Sequence, residues 1–173
     1  MKPSVRAPRT KRRPLSTKEE KVKRLVLGSM LLALAVLVAA GVTAAAREET
    51  YTVSAKLTAA SEVPKQTVKV RTARGLFTGV VKEKGKGGSL SWRLTFSKLS
   101  GQATAAHIHL GKKGVAGPVS VPLCGPCTTP DTGSATLTEA QIHAFESGGA
   151  YVNVHTPKNP NGEIRGQIAV KGG

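Results

Sequence analysis

Three of the four histidines in the chain lie in two short segments that could bring them to one metal ion. Residues 105–111 contain His107 and His109, and residues 150–156 contain His155. Both segments have the composition of β-strands, in which alternate side chains point to opposite faces. His107 and His109 therefore share one face of their strand. If the two strands are neighbours, His155 joins them on a polar face above an apolar sheet.

Histidines at positions i and i+2 of a strand can bind one metal ion, and a third from a neighbouring strand completes a trigonal set suited to copper or zinc. The sequence thus offers His107, His109 and His155 as candidate metal ligands. The alternative is structural. In that case the three imidazoles hydrogen-bond to the backbone and to Asn153 or Thr156, and fix loops over the sheet.

The elements expected to position these residues are short strands with period-two alternation of apolar and polar residues. An N-terminal capping signal at Thr138, with Gln141 three residues later, predicts one short helix ending near residue 146. The fold class indicated is all-β, an antiparallel Greek-key-like β-sandwich with one short helix. Besides the two histidine segments, the expected strands cover residues 51–58, 67–71, 75–82, 90–97, 119–123, 133–138 and 163–170.

The first 46 residues differ in character from the rest. Residues 1–24 contain ten Lys and Arg against two Glu, and residues 25–46 carry no charge. This pattern predicts a disordered basic cytoplasmic arm, then a transmembrane anchor or a cleaved signal peptide, with the domain at 50–171 outside the cytoplasm. The protein is expected at the cell membrane with the domain outside, or secreted or periplasmic after cleavage. Because half of the +16 net charge precedes the apolar segment, a nucleic-acid partner is not expected.

The only two cysteines, Cys124 and Cys127, have the spacing of a thioredoxin active site. They lack the strand-to-helix setting that lowers the pKa of a thiol. Outside the cytoplasm, a disulfide that closes the loop is the expected state. The alternatives are free thiols that act as soft metal ligands, and a redox-active pair.

A second polar set lies on the last strand, where Glu163, Arg165 and Gln167 share a face. An ion pair or a clamp on backbone carbonyl groups is expected for Arg165. With Asn153, Glu163 and Arg165 are assigned to a structural motif. Paired carboxylates, a Ser-His-Asp order and a phosphate-binding loop are absent from the sequence, so no catalytic residue and no enzyme activity are expected. The lysines of residues 65–113 form a solvated face or contact an anionic envelope polymer.

A series of short motifs runs through the part of the chain after residue 50. They are Glu62-Val63-Pro64, Leu99-Ser100-Gly101, Thr104 to Gly111, Gly117-Pro118-Val119, Leu137-Thr138 with Gln141, Tyr151 to Thr156, and Asn161 to Ile168. By these motifs, which fall in family order, the chain from Tyr51 to Val170 resembles the CHRD domain, which occurs as repeats in the developmental antagonist chordin and alone in secreted bacterial proteins. The resemblance implies an extracytoplasmic β-sandwich.

The His-Ile-His strand is also similar to the copper strand of the copper–zinc superoxide dismutases. That family needs a fourth histidine, a bridging imidazolate and an aspartate at its zinc subsite. The spare histidine here is His143, on the expected surface helix, and the one aspartate is Asp131. Dismutase activity is therefore not expected.

The function predicted from the sequence is a non-enzymatic binding module at the cell surface. The expected partners are the membrane, through the N-terminal helix, and a surface protein or an anionic envelope polymer. The alternative is a copper- or zinc-binding envelope protein that uses the three-histidine site.

Overall fold

The structure of the protein, a computed structural model, describes residues 47–171. The described residues form nine strands, one short 3-10 helix and one α-helix. In chain order these are β1 (Glu48–Thr58), the 3-10 helix (Ala59–Ser61), β2 (Arg74–Lys84), β3 (Gly87–Ser97), β4 (Ala105–Leu110), β5 (Val119–Cys124), β6 (Asp131–Thr138), α1 (Glu139–Glu146), β7 (Ala150–Thr156), β8 (Asn159–Gln167) and β9 (Ala169–Lys171).

The prediction of an all-β antiparallel fold with one short helix is confirmed. The basic arm and the apolar helix predicted for residues 1–46 lie outside the described residues. Within residues 47–171, no helix combines the length and the apolar character needed to span a membrane.

The strands are hydrogen-bonded into one sheet in the order β5-β4-β7-β8-β1-β2-β3-β6, rather than into two separate layers. β8 joins the two halves of this sheet, because it pairs with β7 on one side and, through Arg165 and Thr58, with β1 on the other. The chain then continues past Ile168 into β9, which also pairs with β1. The two edge strands, β5 and β6, also contact each other, so the sheet curls until it is nearly closed, like a barrel.

The core is the apolar face of this curled sheet. Alternate residues of each long strand point inward, as the period-two pattern predicts. The capping box at Thr138 and Gln141 starts α1, which adds Ile142 and Phe145 to the core. Among the fully buried core residues are Leu57, Phe77, Leu90, Leu94, Ile108, Leu137, Val152, Val154 and Ile164.

The strand predicted for residues 67–71 is wrong, because this segment is an irregular connection between the 3-10 helix and β2. Side chains bind the backbone groups that a neighbouring strand would otherwise pair. The Asn159 side chain accepts a hydrogen bond from Val68 N and donates one to Val68 O, and Gln66 Oε1 accepts from Val70 N. The backbone is therefore satisfied without a strand partner.

Two connections cover the outer face of β4, β7 and β8, which carries the polar side chains. Residues 59–73 contact this face through Gln66, whose side chain donates to Glu163 O. Residues 111–118 contact it through the carbonyl groups of Lys112 and Val115, which accept from Arg165. As a result Glu163 and Arg165 on this face are buried, and Arg165 is 1% exposed.

Candidate three-histidine metal site

The pairing of β4 with β7 brings the three predicted histidines together. His107 lies opposite Asn153, and His155 lies opposite Ala105, two pairs further along the ladder and therefore on the same face. One ring nitrogen from each of His107, His109 and His155 lies within 4.8 Å of the other two. His109 is buried and the other two are half-buried, so the cluster reaches from the interior to the surface.

Backbone carbonyl groups fix the proton positions on two of the three rings. His109 Nδ1 lies 2.9 Å from Gly117 O, and His155 Nδ1 lies 2.9 Å from Pro160 O. Because a carbonyl oxygen can only accept, both Nδ1 atoms carry the proton and both Nε2 atoms keep a lone pair. His155 Nε2 lies 3.3 Å from His107 Nδ1, and His109 Nε2 is buried with no hydrogen-bond partner within residues 47–171.

All three imidazoles favour the neutral form. Burial lowers the pKa of His107, and the nearby His109 lowers it further. Burial is also the main cause of the lowered pKa values of His109 and His155; the hydrogen bonds to Gly117 and Pro160 oppose it only in part. Neutral imidazole is the form that binds a metal ion.

Tyr151 supports the buried end of the cluster. Its ring stacks on His109, with centroids 4.9 Å apart and planes inclined by 7°. The guanidinium carbon of Arg165 lies 3.4 Å from the centroid of the same tyrosine ring, a cation–π contact. Arg165 Nη2 donates to Lys112 O and Val115 O at 3.1 and 2.9 Å. Two roles are expected for Arg165, an ion pair or a clamp on backbone carbonyl groups. These hydrogen bonds correspond to the clamp.

Glu163 is the centre of a separate buried network. Its carboxylate accepts hydrogen bonds from Ser100 N and Thr156 Oγ1 at 2.6 Å each, from Asn159 Nδ2 at 3.0 Å, and from Ser100 Oγ. Burial raises the pKa of Glu163, but the hydrogen bonds from Ser100, Thr156 and Asn159 outweigh it and leave the pKa below its usual value. The network holds an ionised carboxylate with no exposed surface.

Glu62 is a buried acid that lies outside the expected strands, in the motif Glu62-Val63-Pro64. It is fully buried. Its Oε2 accepts from Asn153 Nδ2 at 3.3 Å, and its Oε1 has no partner in the part of the chain that the structure describes. Burial raises its pKa to about 8, although Arg165 and Asn153 lower it in part. The available signal was its position in the motif Glu62-Val63-Pro64, a hydrophilic residue inside a block that carries the CHRD resemblance.

Cys124, Cys127 and His143 do not belong to the histidine cluster. Cys124 and Cys127 are joined in a disulfide, so neither offers a thiolate to a metal ion. His143 is exposed on α1. The metal-ligand group found among the described residues therefore consists of histidines alone.

Comparison with known proteins identifies the domain. The family model of the CHRD domain matches residues 53–168, well over half of the chain. This chain belongs to the CHRD domain family. The match confirms the resemblance carried by the sequence motifs, and it includes all three histidines, Glu62 and Arg165. No curated protein and no solved structure matches the chain.

Glu62 gives the CHRD domain a measurable pH response. Its folded-state pKa of about 8 lies above the unfolded value near 4.5. The folded state therefore binds the extra proton between these values, and this contribution to stability is lost as the pH rises through 8. Glu62→Gln keeps a neutral acceptor for Asn153, so we expect the variant to gain about 4 kcal/mol over the wild type between pH 5 and pH 9.

Urea unfolding at the two pH values measures this difference. Glu48→Gln is the control, because Glu48 is an exposed carboxylate on β1. A Glu62→Gln variant whose free energy of unfolding runs parallel to that of the wild type across this range would show that Glu62 is ionised throughout.

Proposed function

We propose that this CHRD domain is a non-enzymatic extracytoplasmic module that binds a copper or zinc ion through His107, His109 and His155. The observation that carries the proposal is the convergence of three imidazole nitrogens within 4.8 Å of one another. Copper is preferred, because an imidazole site binds divalent copper more tightly than zinc.

The geometry of the cluster suits a metal ion at its centre. Two nitrogens bound to one tetrahedral ion at about 2.05 Å lie roughly 3.3 Å apart. His107 Nδ1 and His155 Nε2 already have this separation. His109 must approach the other two by up to about 1.5 Å to complete the set. His107 must also move its proton to Nε2, so that Nδ1 offers a lone pair.

The partners of the rings support a metal role over a purely structural one. In metal sites the ligating histidine donates its second ring N–H to a carbonyl or carboxylate group, which fixes the ring and the tautomer. Gly117 O and Pro160 O supply this contact to His109 and His155. A buried acceptor without a partner is costly in a folded protein, and a metal ion would satisfy His109 Nε2.

Three protein ligands leave a coordination position for water or for a ligand from solution. His107 and His155 are half-buried, which puts this position on the accessible side. A role outside the cytoplasm is supported by the disulfide between Cys124 and Cys127 and by the basic and apolar segments of residues 1–46.

Calorimetric titration with Cu²⁺ and Zn²⁺ tests the proposal. The full chain is used without a histidine tag, in non-ionic detergent, with glycine as a competitor for copper. We expect one ion per chain, with the tighter binding for copper, and no stoichiometric binding by the variant in which His107, His109 and His155 are all replaced by Ala.

His143→Ala is the matched control, because it removes one exposed imidazole outside the cluster. It should bind both ions as the wild type does. Circular dichroism verifies that the triple variant is folded. Equal uptake by the folded triple variant and the wild type would refute the proposal, as would an absence of stoichiometric uptake by the wild type.

A further inference from the structure

The three-histidine cluster offers a bound ion only neutral ligands. The metal-ligand group found within residues 47–171 consists of His107, His109 and His155, and all three imidazoles favour the neutral form. Neutral ligands leave the ion with its full charge, whereas thiolates and carboxylates offset part of it. Because the cost of burying a charge rises with its magnitude, such a site favours a monovalent ion over a divalent one.

The side chains that act on the cluster electrostatically are cationic. The charge of Arg165 lowers the pKa of His109. His109 lowers the pKa of His107, and both of these rings lower the pKa of His155. No carboxylate within residues 47–171 is among the causes of these shifts. Arg165 therefore opposes each positive charge on an ion bound beside His109.

Arg165 acts from a position close to the cluster. The ring of Tyr151 stacks on His109 with centroids 4.9 Å apart, and the guanidinium carbon of Arg165 lies 3.4 Å from the centroid of the same tyrosine ring. Arg165 is buried, so water screens its charge little. Glu62 acts on Arg165, yet burial raises the pKa of Glu62 to about 8 and leaves this acid largely protonated at neutral pH. The charge of Arg165 is therefore not cancelled by Glu62.

The separation of the ring nitrogens also suits monovalent copper. Divalent copper prefers a square-planar or tetragonal arrangement, in which neighbouring nitrogens at about 2.0 Å from the ion lie roughly 2.8 Å apart. His107 Nδ1 and His155 Nε2 lie 3.3 Å apart, as in a tetrahedral site. Cu⁺ has a filled d shell, like Zn²⁺, and therefore has no preference for planar ligands. The hydrogen bonds to Gly117 O and Pro160 O hold two of the rings in this arrangement.

We propose that the three-histidine site holds copper as Cu⁺ rather than Cu²⁺, and that the charge of Arg165 contributes to this preference. The preference rests on the proposed metal site and specifies the ion that the site binds. Arg165 is not a ligand of the ion, and its charge acts across the ring of Tyr151. A partner of the domain outside the cytoplasm would then exchange Cu⁺ with it.

Competition titrations of the full chain, without a histidine tag and in non-ionic detergent, measure the dissociation constants of both ions at pH 7. Cu⁺ is titrated under argon with ascorbate as reductant and bathocuproine disulfonate as competitor, and Cu²⁺ is titrated in air with glycine as competitor. We expect Cu⁺ to bind at least about tenfold more tightly than Cu²⁺. A smaller ratio of the two affinities would overturn the proposal.

Variants of Arg165 separate its charge from its hydrogen bonds. Arg165→Gln removes the charge and should lower the ratio of Cu⁺ to Cu²⁺ affinity about tenfold. Arg165→Lys keeps the charge and should keep the ratio, because a weakened clamp on the 111–118 connection affects both ions alike. Lys84→Ala, which removes an exposed cation at the β2–β3 turn, should also keep it. An unchanged ratio in folded Arg165→Gln would overturn the role of the charge.

The ionisation of Glu62 gives a second measurement that does not depend on the folding of Arg165→Gln. As the pH rises from 7 to 9, Glu62 ionises and offsets Arg165. Glu163, which also acts on Glu62, has a lowered pKa and stays ionised throughout. The affinity ratio of the wild type should fall at least about threefold, and that of Glu62→Gln should not. Parallel ratios in the two proteins would contradict the proposal.

The preference for Cu⁺ and the metal site itself fail in different ways. If neither copper ion binds stoichiometrically, the metal site is refuted. If both bind and Cu²⁺ binds as tightly as Cu⁺ or more tightly, the metal site stands and only the preference is refuted.

Discussion

Glu163→Ala is expected to lower the free energy of unfolding by about 4 kcal/mol at pH 7. Truncation removes the carboxylate and leaves its donors, on Ser100, Thr156 and Asn159, without an acceptor in a buried site. Each unsatisfied buried group costs about 1–3 kcal/mol. The donors are close together and share the cost, so the individual values do not add in full.

Urea denaturation with the wild type and Glu48→Ala as references measures this loss. Glu48 is exposed, and its replacement should change the free energy of unfolding by less than about 0.5 kcal/mol. The lowered pKa of Glu163 adds a pH test. Its contribution is present above the unfolded pKa near 4.5 and is lost as the pH falls through the lower folded value. A loss below about 1 kcal/mol at pH 7 would contradict the hydrogen-bonded network.

The sequence was most informative where a local pattern determines the structure. Period-two alternation placed His107, His109 and His155 on one face, because that period is a property of the strand itself. The capping box at Thr138 and Gln141 could also be predicted from the sequence, because its hydrogen bonds join residues three positions apart. The interior of the curled sheet follows from the same alternation.

The features that the sequence did not reveal depend on contacts between distant segments. The predicted strand at residues 67–71 failed because Asn159, 91 residues after Val68, binds its backbone. Glu62 lies outside the expected strands, and its hydrogen-bond partner in the buried site is Asn153, again 91 residues away. Such polar partners have no periodicity, so no local pattern indicates them.

The connection at residues 111–118 shows how the fold and the candidate site depend on each other. It has no regular secondary structure, yet its backbone groups orient the candidate ligand His109 and accept the hydrogen bonds of Arg165. Gly117 O accepts from His109, and Gly117 N donates to Tyr151 Oη at 3.1 Å. Lys112 O and Val115 O accept from Arg165. Displacement of this segment should therefore disturb the proposed metal site and the hydrogen bonds of Arg165.

Gly117→Ala adds one methyl group and should displace residues 111–118. We expect it to lower copper affinity 10- to 100-fold. A Cβ atom at Gly117 would lie 1.6 Å from Leu110 O, a backbone atom that cannot move aside without shifting β4. The connection must then move, and His109 loses the carbonyl that holds its ring. We also expect a loss of about 3 kcal/mol in the free energy of unfolding.

Gly114→Ala is the control for Gly117→Ala. It distinguishes the effect of a lost orientation of the His109 ring from the effect of an extra methyl group. Gly114 lies in the same connection, and a Cβ atom there would meet nothing within 4 Å, although its φ of +83° makes alanine strained. This control should lose about 1 kcal/mol of stability and keep its copper affinity. Copper titration below the unfolding temperature of each variant makes the comparison. Unchanged copper affinity in Gly117→Ala would mean that the contact between Gly117 O and His109 does not organise the metal site.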